Sequence, residues 1–199
     1  MIETVEALEA LYGTPKATSN RKVADKLVPV YRRWIERSRF CILTTVGPEG
    51  TDGSPRGDNG PVATEIDQTT LAIPDWRGND RIDSLRNIVR DPRVSLMFMI
   101  PGSTNVVRVN GRGRISAEME LLQRFQRGGA LPRSVILIDI GEVYFQCSRA
   151  FMRSRLWSTG DESDGLPTPG DMLKAMTDGE VGGENYDVEW PERARKSLW

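Results

Sequence analysis

The sequence predicts a mainly β domain with flanking helices, arranged as a small barrel or sandwich, and three observations carry that reading. Between residues 40 and 145 lie six short runs rich in β-branched and aromatic residues, separated by Gly, Pro, Asp and Asn. Helical periodicity is confined to the flanks and to two short inserts, neither of which has the length or the glycine fingerprint of a dinucleotide-binding βαβ unit. The length, 199 residues with 38% hydrophobic content, suits one core and not two.

In chain order, Ile2, Val5, Leu8, Leu11 and Tyr12 recur at helical steps until Gly13-Thr14-Pro15 breaks the pattern. A second helix is expected over 20–37, with Val23, Leu27, Val30, Tyr31, Trp34 and Ile35 on one stripe and Pro29 kinking or dividing it. The strand candidates are FCILTTV (40–46), PVATEI (61–66), TTLAIP (69–74), VSLMFMI (94–100), VVRVNGRGRI (106–115) and SVILIDIGEVYF (134–145). Helical inserts are expected at 81–90, with Ile82, Leu85 and Val89 inward, and at 117–127, with Met119, Leu122 and Phe125 inward. Past Trp157 a loop, a short helix at 170–177 and a Gly-rich acidic stretch lead to PERARKSLW. This tail is expected to wrap over a partner or a barrel end, with partial disorder as the alternative.

Several function classes fall away early. The chain has no histidine, which removes Ser-His-Asp and Cys-His catalysis and His-ligated zinc or haem. Two cysteines, Cys41 and Cys147, cannot complete a thiolate metal site, so no metal is expected; both lie in apolar runs and are read as buried reduced thiols. The N-terminal stretch carries Glu3, Glu6 and Glu9 where a signal peptide needs an apolar core, and no run is long enough to span a bilayer, so a cytoplasmic protein without membrane contact is expected. Between Ser158 and Trp190 stand nine acids and one base, leaving a basic body and an acidic tail. Arginine outnumbers lysine 22 to 5, which suits forked recognition of phosphate. The Arg-rich, aromatic CSRAFMRSRLW is weighed as a nucleic-acid surface, but a pI near 5.7 and the acidic tail favour stacking or a subunit interface. A borrowed organic cofactor is the attractive source of chemistry.

Three segments are candidates to hold one. SPRGDNGP places Arg56 between Pro55 and Gly57, either as a ligand-approaching loop or as an ordinary hairpin with a solvent-facing arginine. LAIPDWRGNDRIDSLRNI runs from a strand end at Pro74 and Asp75, through Gly78 and Asn79, to a helix start near 80–84. There unpaired N–H groups and Arg81 suit a phosphate, unless Asp80 and Asp83 simply cap the helix. VVRVNGRGRI alternates, Val107 and Val109 on one face and Val106, Arg108 and Asn110 on the other.

The order of these parts, with DPRVSLMFMIPG and YFQCSRAFMRSRLW, resembles the pyridoxamine 5'-phosphate oxidase-like FMN-binding superfamily, in a branch described as probable FMN-dependent enzymes. The resemblance covers 38–157 and extends weakly into the tail. It implies a split β-barrel that dimerises with itself, with 1–38 as helices packing on the barrel, 39–157 as the FMN-binding core and 158–199 as an acidic extension, all one domain. It implies that Arg56 contacts FMN, that Gly57, Asp58, Pro74 and Asp75 border the flavin ring, and that Asn79, Arg81 and Ser84 grip the phosphate. Arg108, Arg153, Ser154 and Trp157 are the candidates for the second subunit's contribution. The chain departs from the oxidase pattern: Pro61 stands near an expected lysine and Ser84 where an Arg-Lys pair is usual, so oxidation of pyridoxamine phosphate itself is not implied. The expected function is FMN-dependent redox chemistry on a small-molecule substrate. The deazaflavin F420 on the same fold and a non-catalytic flavin-binding or sensor protein are the alternatives. No catalytic acid or base is identified, although Asp58 and Asp75 are the nearest.

Overall fold

The computed structural model describes residues 1–14, 16–78 and 80–199. Its elements run α1 (Val5–Tyr12), α2 (Ala17–Arg21), α3 (Pro29–Arg37), β1 (Phe40–Gly47), β2 (Gly50–Gly57), β3 (Thr64–Asp67), β4 (Thr70–Asp75), α4 (Asp83–Arg90), β5 (Arg93–Met99), β6 (Val106–Ser116), α5 (Met119–Gln123), β7 (Ser134–Gln146), α6 (Arg149–Ser154), α7 (Pro169–Met176) and α8 (Glu184–Lys196). The seven strands form one antiparallel sheet in the order β2-β1-β5-β6-β7-β4-β3, with β2 and β3 at its edges, so among the described residues the sheet is open.

Alternation decides which face is core. In β1 Cys41, Leu43 and Thr45 are buried, in β5 Val94, Leu96 and Phe98, and in β6 Val107 and Val109, as the period of two requires. These meet Ile136, Ile138, Ile140 and Val143 of β7, Leu71 and Ile73 of β4, and Leu27, Tyr31 and Ile35 from around α3 in one apolar cluster. Each fully buried side chain of this size contributes about 1.5–3 kcal/mol. A smaller cluster of Ala72, Leu122, Val135 and Leu137 lies on the other face under α5.

Several expectations change. Of the helix expected over 20–37 only 20–21, the end of α2, and α3 are helical; residues 22–28 are not, Ala24 forming an antiparallel bridge with Val143, and Pro29, without an N–H and with a fixed φ, begins α3 and so divides the stretch. The SPRG segment is strand, not loop: β2 pairs with β1 from Gly50 opposite Gly47 to Gly57 opposite Phe40, although Gly53, Pro55 and Gly57 are poor strand formers. Pro55 is tolerated because β2 is an edge. Of the strand expected over 61–66 only Thr64 onward is paired; Val62 and Ala63 are buried, and the Val62 N–H donates to the Ser38 carbonyl.

Helix α4 presents Ser84, Asn87 and Ile88 inward, whereas Val89 and Ile82 are exposed. The inward stripe is partly polar because Asn87 donates to Thr45 Oγ1 at 3.2 Å, and Gly47 admits that contact: a Cβ there would lie 2.1 Å from Asn87 Oδ1. The helix expected at 117–127 is the five-residue α5, with Leu122 buried and Met119 exposed. Residues of α1 are all exposed. The tail carries two helices, the second unforeseen, closed by Asp187, which accepts from Thr168 Oγ1 and from the Gly170 N–H at 2.8 Å. Cys41 is buried, but Cys147 is exposed where β7 has just ended. No helix among the described residues is long and apolar enough to cross a membrane.

Candidate functional site

Along β2 the side chains of Asp52, Ser54 and Arg56 alternate with exposed Thr51, Gly53, Pro55 and Gly57. They stand in register with Thr45, Leu43 and Cys41 of β1, so they lie on the core face of the sheet, where β2 is its edge. This polar row links two elements. At one end Ser84 Oγ, in the first turn of α4, donates to Asp52; at the other, Arg56 forms an ion pair with Asp75 at the end of β4. The Arg56 Nε is buried and, among the described residues, has no hydrogen-bond partner.

The next residue but one enters a second cluster. The Asp58 side chain is 2% exposed, accepts from Trp76 Nε1 at 3.3 Å and lies 2.7 Å from an Arg127 terminal nitrogen. That nitrogen meets Asp58 Oδ1 as a charge contact without directed hydrogen-bond geometry. Burial pushes the Asp58 carboxyl above its ordinary value, while Arg127 and the Trp76 N–H hold it back. Arg127 is positioned by a tight turn in which it and Ala130 exchange backbone hydrogen bonds of 2.9 and 2.8 Å. Trp199 completes the group, edge-on to Trp76 at 5.3 Å between ring centroids and 4.9 Å from the Arg127 guanidinium.

Beyond Trp76 the chain enters α4, at the Asp52 end of the β2 row, through unusual backbone. Asp80 and Ile82 have φ of 60° and 51°, and Ile82, the N-cap, offers no side-chain acceptor. The first-turn N–H groups of α4 therefore lack a conventional cap and favour negative charge. Asp52, Asp80 and Asp83 are carboxylates near that end: Asp52 accepts from Ser84 Oγ, Asp83 from Arg81 Nε at 2.8 Å, and Asp80 from Arg133 at 2.6 Å.

The sequence-derived residues thus fall into two groups. Arg56, Gly57, Asp58, Pro74 and Asp75 are brought together, Pro74 buried in β4 opposite Val135 and Gly57 closing β2. Ser84 shares the β2 row through Asp52 but is buried against it; Arg81 is exposed; Asn79 lies outside the described residues. Arg108 belongs to the opposite face of the sheet, in a row with Ile42, Met97 and Tyr144. It donates to Ser95 Oγ at 3.3 Å, sits 5.7 Å from the Tyr144 ring, and its buried Nε also has no partner among the described residues. Arg153 and Ser154 are exposed on α6, and Trp157 is stacked on Phe151 with its Nε1 donating to the Ser103 carbonyl at 2.7 Å. The structure does not unite this second group with the first within one protomer, because the sheet stands between Arg108 and Arg56.

Sequence reasoning missed Asp52, Trp76, Arg127 and Trp199. The even-numbered alternation Asp52, Ser54, Arg56 was a usable signal for the first. Arg127 and Trp199 had none, since they meet Asp58 and Trp76 respectively, and each other, only in three dimensions. Among the described residues no group of three or more potential ligands is arranged to hold a metal ion.

Residues 27–147 match the family model for pyridoxamine 5'-phosphate oxidase. Similar solved structures include a candidate pyridoxamine 5'-phosphate oxidase from Lactobacillus delbrueckii, 20% identical, covering 61% of this chain and 95% of that one with a TM-score of 0.49. HupZ of Group A Streptococcus is 17% identical over 59% of this chain and 91% of its own, TM-score 0.48. An FMN-binding protein from Syntrophomonas wolfei is 15% identical over 59% and 84%, TM-score 0.47. No curated protein sequence matches the chain.

Proposed function

This chain belongs to the pyridoxamine 5'-phosphate oxidase family, and from that premise we propose that it is a homodimeric split-barrel flavoprotein that uses FMN to oxidise or reduce a small organic substrate. The observation that carries the reading is the Arg56 Nε, a buried donor with no partner among the described residues, held in place because Asp75 fixes the same guanidinium. A buried unpaired donor costs about 1–3 kcal/mol, and an anionic or carbonyl ligand atom relieves that cost. The uncapped start of α4 lies along the same row, where its N–H groups and Arg81 suit the phosphate. Asp58, Pro74 and Asp75 would then border the flavin ring. FMN supplies reversible two-electron chemistry when bound, and the protein supplies anchorage, orientation and a dry face.

The dimer reading has its own support. Arg108 is the second arginine with an orphaned Nε, and it lies on the sheet's outer face beside the half-buried apolar side chains of Ile42 and Met97. Association through this face would bury those side chains and bring one protomer's Arg108, with Arg153, Ser154 and Trp157, toward its partner's Arg56 row.

Visible absorption of the purified protein, with mass analysis of the released chromophore, tests the cofactor: a yellow protein releasing FMN is expected. Colourless protein that takes up F420 and refuses FMN overturns the choice of flavin. Sedimentation tests the assembly, with a dimer expected for the wild type and a monomer of lowered FMN affinity for Ile42→Glu; a monomeric wild type defeats the interface reading. Steady reduction by NADH or NADPH followed by transfer to an acceptor separates an enzyme from a flavin store.

A further inference from the structure

We propose that the slot between Trp76 and Arg127, filled by Trp199, is the subsite for the ring of the organic substrate, and that this substrate is a planar, electron-rich aromatic compound. The proposal rests on the flavin reading of the adjoining Arg56–Asp75 cluster, since Trp76 follows Asp75 directly and its N–H is held by Asp58, two residues beyond Arg56.

The walls of the slot are tied to one another without help from Trp199. The Trp76 indole N–H donates to Asp58, and the same carboxylate holds Arg127 at 2.7 Å. A ring placed between them meets an indole at an edge-to-face angle, 84° for Trp199, and a guanidinium 4.9 Å from its centroid. The guanidinium contact is strongest for a ring whose face is rich in π electrons, and the perpendicular indole adds an edge-to-face contact to any aromatic ring. An electron-poor ring gains little from the guanidinium, and a flexible aliphatic chain gains little from either wall.

The present occupant is held more loosely than the walls. Trp199 is 42% exposed, and every residue of α8, which leads to it, is exposed or only half-buried. Trp199 therefore acts as an internal competitor: an outside ring binds only in the fraction of molecules whose slot is open, and its apparent affinity is lowered by that fraction.

Calorimetric titration of the full-length protein with indole tests this. Trp199→Ala is expected to bind indole about tenfold more tightly than the wild type, as removal of an intramolecular competitor requires. Trp199→Phe should stay near wild type, and adding Arg127→Gln to Trp199→Ala should abolish the gain. Equal indole affinity in wild type and Trp199→Ala overturns the proposal, whatever the fate of the double variant. Flavin-fluorescence titration of the same proteins tests the underlying reading separately. If none of them binds FMN, the flavin reading fails and the indole comparison still decides the slot. If Trp199→Ala loses FMN affinity, Trp199 belongs to the flavin site and the proposal is wrong.

Discussion

Arg56 on β2 and Asp75 at the end of β4 form an ion pair between strands that the sheet order separates by β1, β5, β6 and β7. The sheet must therefore curl until its β2 edge approaches β4, and the pair is a side-chain bridge across the gap that the strand ladder leaves open. Both side chains are largely withdrawn from solvent, 18% and 13% exposed, so the contact is screened less than a surface pair would be.

Arg56→Met should leave Asp75 half-buried without its partner and lower stability by about 1–3 kcal/mol. Asp75→Leu added to it should restore part of the loss, because removing both charges avoids the unpaired one. Denaturant unfolding of the two single variants and the double variant gives the coupling energy. A value within about 0.3 kcal/mol of zero would mean that the pair contributes nothing to closing the sheet.

Arg81→Ala should weaken FMN binding by about 1.5–3 kcal/mol, the scale of a lost hydrogen bond to a charged group. Asp52→Asn should strengthen it, because a carboxylate beside the start of α4 opposes a phosphate there. Fluorescence titration reads both, and an unchanged Arg81→Ala affinity would place the phosphate elsewhere.

Asp58 gives a pH dependence of definite sign. Its folded-state pKa is raised, chiefly by burial, so its contribution to stability is complete below the ordinary carboxylate value and is lost as pH rises through the folded-state value. Asp58→Asn removes that loss. The unfolding temperature of the variant relative to wild type should therefore rise with pH from the ordinary Asp value of about 3.9 upward, then level off. A difference that falls over that interval would reverse the assignment.

The two thiols should behave differently. Cys41 is buried and its pKa is pushed up to about 12 by desolvation, whereas Cys147 is exposed. A chromogenic disulfide reagent should titrate one thiol per native chain and two after denaturation, and Cys147→Ser should abolish the native signal.

What the sequence made legible was set by local physics. The alternation in 94–100 and 106–115 located β5 and β6 because each has one face in the core. β2 escaped because Gly53, Pro55 and Gly57 carry no strand preference; its pairing comes from β1 alongside, not from its own residues. Helical spacing alone puts Val89 inward, yet the contact of Asn87 with Thr45 and Gly47 turns a polar stripe of α4 toward the sheet. At the site, Arg56 and Asp75 were readable as neighbours of turn-forming residues. Arg127 and Trp199 are separated from Trp76 by long stretches of chain, and nothing local announces a meeting of that kind.

The left-handed backbone at Ile82 has a consequence for any directed evolution of this protein. A β-branched residue at φ 51° costs about 1–2 kcal/mol that glycine or asparagine would not incur. A library scored only for heat resistance should therefore enrich Gly or Asn at position 82 early. If the strain aims the first N–H groups of α4, those winners would also be the poorest at retaining cofactor, and the selection would record where robustness and ligand capture conflict.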